Sequence, residues 1–555
     1  MCNIGVIHIK NRVRSIIILA VIFIFAALFF YFLDNDRYEH EENNFTVNNN
    51  ELSEEDINKS IQTIQNIQEE PPPRERLEKI NNYIIPLEIQ GVYHMFLPHW
   101  ANEPDITAEE TVLLQGSLIP TIFITTESGG LDYIHADQNN RERVEFIFVD
   151  ENGYIEHRGG GDINGRGNYT WLQPKRPYNF RLASGVRLPL FGLGEGRHWT
   201  LLANYLDYTR VRNIAALNLA RALNISHTPR LRPVDVFING EYAGIYDLVE
   251  RRSINHSVNI TDLQEETAAV NDAPLSSFPR GGVHAPTPGT IKYYEIPNNP
   301  GDISGGYLLE IQFGRRYMRE FSGFVTDRGM AVNILAPSAA SREQVMYIRD
   351  FFQQIEDAVY SPSGYTADDV HFSELLCIRA FAMKYIFQEF ILDADTGITS
   401  FFMYKEKCGM GSGRLYPGPA WDLDLTLGNF ANTMEDGLRD PHIWWANDGH
   451  IDKDRDMPPH ILNALYRHDI FRGTVHEMWA NHAAPVIRVL VGLDEGTNEN
   501  LRCIDSYINE ITDSRGMDMV RWPFPAGRSF STQVTDITHF AYTRYLFLDK
   551  HWRDG

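Results

Sequence analysis

The sequence predicts an α+β fold that follows a single N-terminal transmembrane helix. Strand-like stretches rich in Val, Ile, Phe and Thr dominate the first half of the globular part. Amphipathic helical patterns dominate its second half. An uncharged apolar run of 19 residues near the N-terminus has the length of a membrane span. With 555 residues, 43% of them hydrophobic, the chain can form the cores of roughly two to four domains.

The apolar run Ser15–Leu33 predicts an uncleaved membrane anchor. As a helix its 19 residues extend about 28 Å, close to the hydrocarbon thickness of a bilayer. Lys10, Arg12 and Arg14 precede the run, and acidic residues dominate the segment after it. The positive-inside rule therefore predicts residues 1–14 as a cytoplasmic tail and the bulk of the chain as extracytoplasmic. A cleaved signal peptide is the alternative, but the run is long for that role.

Composition divides the rest of the chain into three parts. Residues 34–83 are polar and acidic, bury too little apolar surface to fold alone, and are interpreted as a membrane-proximal stalk or linker. Residues 84–310 are predicted as a strand-rich region, with an irregular insertion at 257–305. Residues 311–555 are predicted as mostly helical, with acidic loops within 393–429.

Periodicity predicts the main elements within these parts. The predicted strands are Val112–Thr126, Val144–Phe148, Asp235–Asn239, Glu241–Glu250, Tyr307–Phe313 and Phe401–Lys405. The predicted helical segments are a turn and helix at Trp199–Leu223, and helices at Arg342–Tyr360 and Leu375–Phe390. Asn239-Gly240 between two strands predicts a tight hairpin.

Charge and cysteine content exclude several classes of protein. The chain has 50 basic and 74 acidic residues, a formal charge of −24. It therefore lacks the basic excess of proteins that bind nucleic acid through phosphate neutralisation, and no nucleic-acid partner is expected. Cys377, Cys408 and Cys503 are widely spaced, which gives neither a disulfide framework nor a C-x-x-C metal pair.

A D-x-D motif lies in the apolar segment Gly418–Asn429. If this segment is extended, Asp422 and Asp424 share one face. Two neighbouring carboxylates repel each other and are costly to desolvate, which favours a cation between them. Mg²⁺ prefers such oxygen ligands and often shares them with phosphate. The alternative is a solvated strand end or turn that carries two aspartates.

A glycine-rich stretch at residues 157–171 precedes a strand-like segment that carries Lys175. Glycines let backbone amides approach an anion, and a following Lys can be directed at it. Ordinary turns are the alternative. Glu250, at a predicted strand end, could pair with Lys175 or face water. Arg212, at a predicted helix start, could reach a carboxylate or a phosphate, or form a surface ion pair.

An acidic loop lies at Asp393–Ser400, between a predicted helix and strand. Phosphoryl transfer requires a Lys and amides on the phosphates, metal-binding carboxylates, and an Asp that positions the acceptor hydroxyl. The chain offers these parts in kinase-like order, with Asp395 as the positioning Asp. Kinases place a metal-binding Asn five residues after that Asp, where this chain has Ser400. H-R-D and D-F-G tripeptides are absent from the sequence.

Four ordered motifs resemble the spore coat protein H (CotH) kinase family. They are R-G-N-Y-T-W-x-x-P-K-R-P-Y from Arg166, W-T-L-L-A-N-Y-x-D-x-T-x-V-R-N from Trp199, F-I-N-G-E-Y-A-G-I-Y-x-L-x-E from Phe237 and G-P-A-W-D-L-D-L-T-L-G-N from Gly418. The resemblance implies an atypical protein-kinase-like, two-lobed fold. It also implies metal-dependent transfer of the ATP γ-phosphate to Ser or Thr of a partner protein, with Mg²⁺ or Mn²⁺.

The resemblance assigns roles to individual residues. It implies that Lys175 contacts the nucleotide phosphates, that Asp395 is the catalytic-loop acid, and that Asp422 binds the metal. The implied nucleotide-binding set is Arg166, Gly167, Asn168, Lys175, Glu250 and Arg212, and the implied metal-binding set is Asp422, Asp424 and Ser400.

Three positions depart from the family pattern. Asp393 stands where the family commonly has Asn, and its charge would shift metal preference or weaken nucleotide binding. Leu423 stands in place of a Phe or Tyr between the two aspartates and would alter packing only. Ser400 stands in place of an Asn and would be a shorter, weaker metal ligand.

Two other functions compete with the kinase. ATP is scarce outside cells, and other proteins with CotH domains occur on cell surfaces, so a surface-anchored binding or structural module without robust kinase activity is the alternative. A metal-dependent hydrolase or a carbohydrate-binding protein is a weaker one. The histidines nearest the D-x-D motif, His442, His450 and His460, resemble loop residues, and Trp444-Trp445 fits core packing equally well.

Overall fold

The computed structural model describes residues 87–89, 92–96, 112–115, 118–251, 254, 257–312, 314–397, 399–409, 412–429, 439–446, 460–496, 501–524 and 529–553. The predicted cytoplasmic tail, transmembrane helix and stalk, residues 1–83, lie outside this set. Within it, no helix combines the length and the apolar character needed to cross a membrane.

The first part of the chain forms two sheets. A small sheet contains β1 (Leu87–Ile89), β2 (Val92–Phe96) and β3 (Val112–Gln115). Seven further strands follow: β4 (Thr121–Thr126), β5 (Arg141–Val149), β6 (Ile155–Gly165), β7 (Tyr178–Leu182), β8 (His198–Leu202), β9 (Leu231–Ile238) and β10 (Glu241–Glu250). They close into a barrel in the order β10-β8-β7-β6-β5-β4-β9. Helix α1 (Asp132–Ala136) follows β4, and α2 (Arg212–Ala222) follows β8.

Alternation of side chains explains why these strands form a barrel. In β5, Val144, Phe146 and Phe148 are at most 3% exposed, whereas the alternating residues Arg143 and Glu145 face solvent. A period of two directs one set into the closed interior and the other set outwards. The outward face of the barrel is therefore free to carry charge.

A second, antiparallel sheet has the order β11-β12-β14-β15-β13-β16-β17. Its elements and the helices between them are α3 (Leu263–Ala269), β11 (Arg280–Gly282), β12 (Ile291–Tyr294), β13 (Tyr307–Ile311), α4 (Gly314–Tyr317), β14 (Gly323–Val325), β15 (Ala331–Ala336), α5 (Arg342–Tyr360), α6 (Phe372–Leu375), α7 (Ile378–Ile391), β16 (Phe401–Lys405) and β17 (Leu415–Pro417). The prediction of an irregular insertion at 257–305 was wrong, because these residues supply α3, β11 and β12. Strand β13 pairs with β15 and β16, so one sheet joins both sides of the predicted 310/311 boundary.

The described residues from 460 onwards are mostly helical. Their helices are α8 (Ile461–Tyr466), α9 (Asp469–Met478), α10 (Ala484–Leu490), α11 (Ile504–Glu510), α12 (Thr512–Arg521) and α13 (Phe530–Arg553), with a π-helical turn at Trp479–Ala483. Helix α12 returns to the barrel, where the Trp522 indole donates a 2.9 Å hydrogen bond to the carbonyl of Ala243 in β10.

The α+β class is confirmed, and the two-lobed kinase-like architecture stays a prediction. The single strand predicted at Val112–Thr126 was wrong, because β3 ends before Gly116 and β4 begins after Pro120, two residues that interrupt strands. The turn predicted at Trp199 was also wrong, since this residue lies in β8. A short apolar run carries no periodicity that distinguishes a buried strand from other structure.

Candidate functional site

The D-x-D segment follows β17 and is held by the two elements on either side of it. The amide of Leu423, between the two aspartates, donates a 2.9 Å hydrogen bond to Asn213 in α2. The amide of Leu427 donates a 2.7 Å hydrogen bond to the carbonyl of Ile391 at the end of α7. Asp422 has φ +66°, so the predicted extended alternation was wrong at this point. The motif is a fixed turn rather than a strand.

Negative charge is concentrated at this turn. Asp424 is 8% exposed, and burial raises its pKa well above the usual range. The carboxylates of Asp422, Asp207 and Asp395 raise the pKa further, in that order. Carboxylates that repel one another in this way favour the binding of a cation between them. The structure therefore brings together Asp395, Asp422 and Asp424, the three carboxylates that the sequence predicts in one site.

The acidic loop presents Asp395 to the D-x-D turn. Helix α7 ends at Leu392, with φ +46°, and the Asp393 carboxylate then accepts a 3.0 Å hydrogen bond from the Asp395 amide. Asp393 also accepts a 3.3 Å bond from Gln388, and burial raises its pKa to about 6 while Lys384 opposes the shift. Asp393 is thus a buried structural acid that shapes the loop, and Asp395 is half-buried.

Ser400 also lies at the turn, because its hydroxyl is 3.4 Å from a carboxylate oxygen of Asp422. Among the described residues, no group of three or more His, Cys, Asp or Glu side chains already has the arrangement of a metal site. Mg²⁺ is usually held by one or two protein carboxylates together with water and substrate phosphates. The hard oxygen donors of Asp422, Asp424 and Ser400 fit a metal of that kind.

Positive charge reaches the turn from the barrel. Arg166 follows β6, and its guanidinium lies 5.7 Å from the centre of the Trp421 ring. Burial lowers the pKa of Arg166, Asp422 and Asp424 oppose that shift, and the positive charge of Arg251 adds to it. Arg251 lies one residue beyond β10 and is exposed. The sequence analysis missed Arg251, although it directly follows a quoted motif.

Gly167 and Asn168 shape the connection after Arg166. Gly167 has φ +90°, and a Cβ atom there would lie 2.4 Å from the hydroxyl oxygen of Thr170. Asn168 accepts a hydrogen bond from Arg319, which lies beyond α4. Both residues therefore have visible structural roles, and their contact with a nucleotide stays a prediction.

The structure places Lys175 in a buried ion pair. Its ammonium group is fully buried, 2.6 Å from Asp518 in α12 and 2.5 Å from the carbonyl of Ile245 in β10. Burial lowers the pKa of Lys175 to about 8, against the opposing charge of Asp518. Of the two alternatives for Glu250, pairing with Lys175 is not observed, because Glu250 lies five residues beyond Ile245, about 16 Å along the strand.

A buried polar path connects Lys175 with the D-x-D turn. Asp518 also accepts a 2.7 Å bond from Arg210, whose guanidinium donates a 2.6 Å bond to the carbonyl of Asn204. The Asn204 side chain accepts a 2.7 Å bond from Asn213, the residue that holds the Leu423 amide. Helix α12, the barrel and the turn therefore share one hydrogen-bond network.

Arg212 has a structural role in this arrangement. It is 1% exposed, and it binds the Asp207 carboxylate at 2.6 Å and the Thr426 carbonyl at 2.9 Å. Asp207 also accepts hydrogen bonds from the backbone and the hydroxyl of Thr209 and from the amide of Arg212, the first residue of α2. This geometry favours a tie between α2 and the turn over the predicted nucleotide contact.

The glycine-rich stretch proved to be part of the barrel, so the predicted phosphate cradle was wrong there. Residues 159–161 lie in β6 and pair with β5. A Cβ atom on Gly161 would lie 2.2 Å from the carbonyl oxygen of Arg181 and 2.8 Å from the Phe146 ring. Because Gly161 has no side chain, β7 and the Phe146 ring can pack closely against β6.

The weaker alternatives gain little from the structure. His460 is buried at the start of α8, and burial lowers its pKa to about 3, whereas His442 pairs with Asp440 at the surface. Trp445 is 2% exposed, and Trp444 packs against Trp552 at 5.6 Å between ring centres. His450 lies outside the described residues.

A cavity of about 610 Å³ borders the end of the turn at Gly428 and Asn429.

Comparison with known proteins agrees with the motifs. No curated protein matched the chain in a sequence comparison. A family model described as CotH kinase protein matches residues 163–548, more than half of the chain. This span contains Arg166 and Lys175, which lie in the connection between β6 and β7 rather than on the predicted strand-like segment, together with the acidic loop and the D-x-D turn. The chain belongs to the CotH kinase family.

Proposed function

We propose that this protein is a metal-dependent phosphotransferase that moves the γ-phosphate of ATP to Ser or Thr of a partner protein. The observation that carries the proposal is the convergence of Asp395, Asp422 and Asp424 opposite the guanidinium of Arg166. This reaction uses carboxylates that bind a metal, a carboxylate that acts as a base, and a cationic side chain that binds phosphate.

The metal role falls to the D-x-D turn. Asp422 and Asp424, with the hydroxyl of Ser400 beside them, would hold Mg²⁺ or Mn²⁺ through oxygen atoms. A bound divalent cation would neutralise phosphate charge during transfer. Asn213 supports this role, because it fixes the backbone between the two aspartates.

Asp395 is the residue proposed to handle the proton. The acceptor hydroxyl oxygen forms a bond with the γ-phosphorus, and the bond from that phosphorus to the bridging oxygen of ADP breaks. Asp395 accepts the hydroxyl proton, for which its half-buried carboxylate is suitably placed beside the turn. Asp393 holds the Asp395 amide and so fixes the loop.

Cations of the barrel are proposed to bind the phosphates. Arg166 lies beside the D-x-D turn, with its guanidinium 5.7 Å from the centre of the Trp421 ring and under the influence of the charges of Asp422 and Asp424. The buried ammonium group of Lys175 supports the site through Asp518 and the buried polar path, and its direct phosphate contact stays a prediction. Residues 15–33 are proposed to anchor the protein as a single-pass membrane protein.

One observation favours a second candidate function, a surface-anchored binding module on the same scaffold. Lys175 is fully buried and already bound to a carboxylate and a carbonyl. A site that uses this lysine on phosphate must first rearrange it. A module that retains the scaffold without transfer would not require that change.

Incubation of the full-length protein with ATP labelled on the γ-phosphate separates the two functions. Transfer of label to the protein itself or to casein, dependent on Mn²⁺ or Mg²⁺ and lost in Asp395→Asn, is expected. The exposed Asp469→Asn variant serves as the matched control and should retain transfer. Absence of label from both acceptors in the wild-type protein, with nucleotide still bound, would support the binding module.

A further inference from the structure

The outward face of the barrel carries a concentration of basic side chains that the proposed reaction does not use. The residues, here named the basic band, are Arg141, Arg181, Arg197, His198 and Arg251. Strand register brings them together, because Arg181 in β7 lies opposite His198 in β8. The Arg251 amide then donates a 2.9 Å hydrogen bond to the carbonyl of His198. The chain as a whole has a charge of −24, so the charge of this band is opposite in sign to the net charge of the protein.

The positive charge of the band is only partly neutralised. Asp162 in β6 lies within the band and binds both Arg141 and Arg181. Arg197 donates to backbone carbonyls of Leu182 and Ala183, which accept hydrogen bonds but carry no net charge. The Arg251 side chain is exposed to solvent. Among the described residues, Asp162 is the one carboxylate that forms an ion pair with any of these four guanidinium groups.

Geometry places these groups close together, since the Arg197 guanidinium lies 3.3 Å from Nε2 of His198. Burial lowers the pKa of His198, and the positive charges of Arg197, Arg251, Arg181 and Arg141 lower it further, in that order. His198 is therefore neutral at neutral pH, and the four guanidinium groups supply the charge of the band. An anionic partner would relieve this repulsion.

The band is continuous with the candidate active site. Burial lowers the pKa of the Arg166 guanidinium, and Asp422 opposes that shift. The positive charge of Arg251 has the next largest effect and lowers the pKa of Arg166 further. Arg251 also lowers the pKa of His198 at the start of β8. Positive charge thus extends from the D-x-D turn across the ends and outer faces of neighbouring barrel strands.

We propose that the basic band is a docking surface for an acidic polypeptide segment, and that the phosphoacceptor Ser or Thr lies in or beside such a segment. The acceptor assignment rests on the proposed function. The four strands β5 to β8 are spaced by about 4.8 Å, so the band is about 14 Å wide, the length of roughly four extended residues. Alternate Asp or Glu side chains of such a segment can reach separate arginines.

Binding of labelled peptides to the full-length protein tests this proposal by fluorescence anisotropy. One peptide has a Ser flanked by glutamates, and the other has lysines in place of the glutamates. The acidic peptide is expected to bind about tenfold more tightly or better, with affinity that falls as salt is raised. Equal binding of both peptides, or tighter binding of a single-stranded oligonucleotide than of the acidic peptide, would overturn the proposal.

Variants of the band supply the matched controls. Arg181→Glu combined with Arg197→Glu should weaken binding of the acidic peptide by about tenfold or more. Asp162→Asn removes the one acidic member and should tighten it severalfold, a result that a merely structural role would not produce. Arg181→Gln replaces the double variant if the latter fails to fold. Unchanged affinity in folded Arg181→Gln and Asp162→Asn proteins would contradict the docking surface.

Nucleotide binding in the same proteins separates this proposal from the proposed function. We expect the Arg181 variants to lose peptide binding and to retain Mg²⁺–ATP binding. Peptide docking on a protein that binds no nucleotide would leave the docking surface intact and reject the phosphotransferase. Nucleotide binding without any preference for the acidic peptide would reject the docking surface alone.

Discussion

Asp424 is a carboxyl group whose surroundings strongly disfavour its charge. It is buried beside Asp422, and the charges of Asp207 and Asp395 add to the repulsion. A carboxylate in this position destabilises the folded protein unless a proton or a cation neutralises it. A metal site and a stability cost are therefore two consequences of the same arrangement.

Replacement of Asp424 by Asn should separate these consequences. The metal-free protein is expected to become more stable by about 1–3 kcal/mol at neutral pH, because one buried charge is removed. Stabilisation by Mn²⁺ together with ATP, measured as a shift in melting temperature, should be lost. The exposed Asp469→Asn variant should change neither quantity. A lower melting temperature for metal-free Asp424→Asn would contradict the electrostatic account.

Lys175 is expected to act on stability as strongly as on activity. Lys175→Met leaves Asp518 buried with Arg210 as its remaining charged partner, and should cost about 3–5 kcal/mol of unfolding free energy. Chemical unfolding measures this loss. The double variant Lys175→Met with Asp518→Leu should lose more stability still, because the buried guanidinium of Arg210 then lacks its carboxylate partner. A cost below about 1 kcal/mol for the single variant would contradict the buried pair.

Asp247 gives the stability a pH dependence of known sign. Burial raises its pKa to about 7, and one of its oxygens is buried without a hydrogen-bond partner among the described residues. A carboxyl group with a raised pKa binds its proton more tightly when folded, so stability falls as pH rises from about 4 towards 7. Asp247→Asn should flatten this fall by roughly 2–4 kcal/mol in urea unfolding. An unchanged slope would contradict the shift.

Elements with strong local signals were predicted most accurately. Helix α5 begins and ends at the predicted residues, because Ser341 and Gln344 form a capping box and an apolar stripe runs along the helix. The hairpin at Asn239-Gly240 has positive φ at both residues, as a type I′ turn requires. Strand β8 was missed because barrel closure, not its own pattern, makes it a strand.

The contact of β10 with α12 gives a prediction at this scale. Gly244 has φ +113°, and a Cβ atom there would lie 2.5 Å from an Asp518 oxygen and 2.9 Å from Cε of Lys175. Gly244→Ala should therefore cost about 2–4 kcal/mol. Gly473→Ala in α9, where a Cβ atom meets open space, should instead stabilise by about 0.5–1 kcal/mol. Similar effects of both substitutions in urea unfolding would contradict this packing.

At the scale of the whole molecule, sequence distance decided which parts of the site could be foreseen. Asp395 and the D-x-D motif lie in one short helix–loop–strand unit, and the structure brings them together as predicted. The partner of Lys175 lies 343 residues away in α12 and has no local signal. The approach of Arg251 to Arg166 likewise depends on how the barrel closes. The residue types indicated a metal and phosphate site, but only the fold showed which residues contact Lys175 and Arg166.

Calorimetric titration of ATP with Mn²⁺ or Mg²⁺ into the full-length protein tests the central claim most directly. The wild-type and Asp469→Asn proteins are expected to bind nucleotide only when the divalent metal is present. Asp422→Asn should lose this binding while its melting temperature stays near that of the wild type. Metal-independent binding, or binding that survives in Asp422→Asn, would contradict the assignment of the D-x-D turn as the metal and nucleotide site.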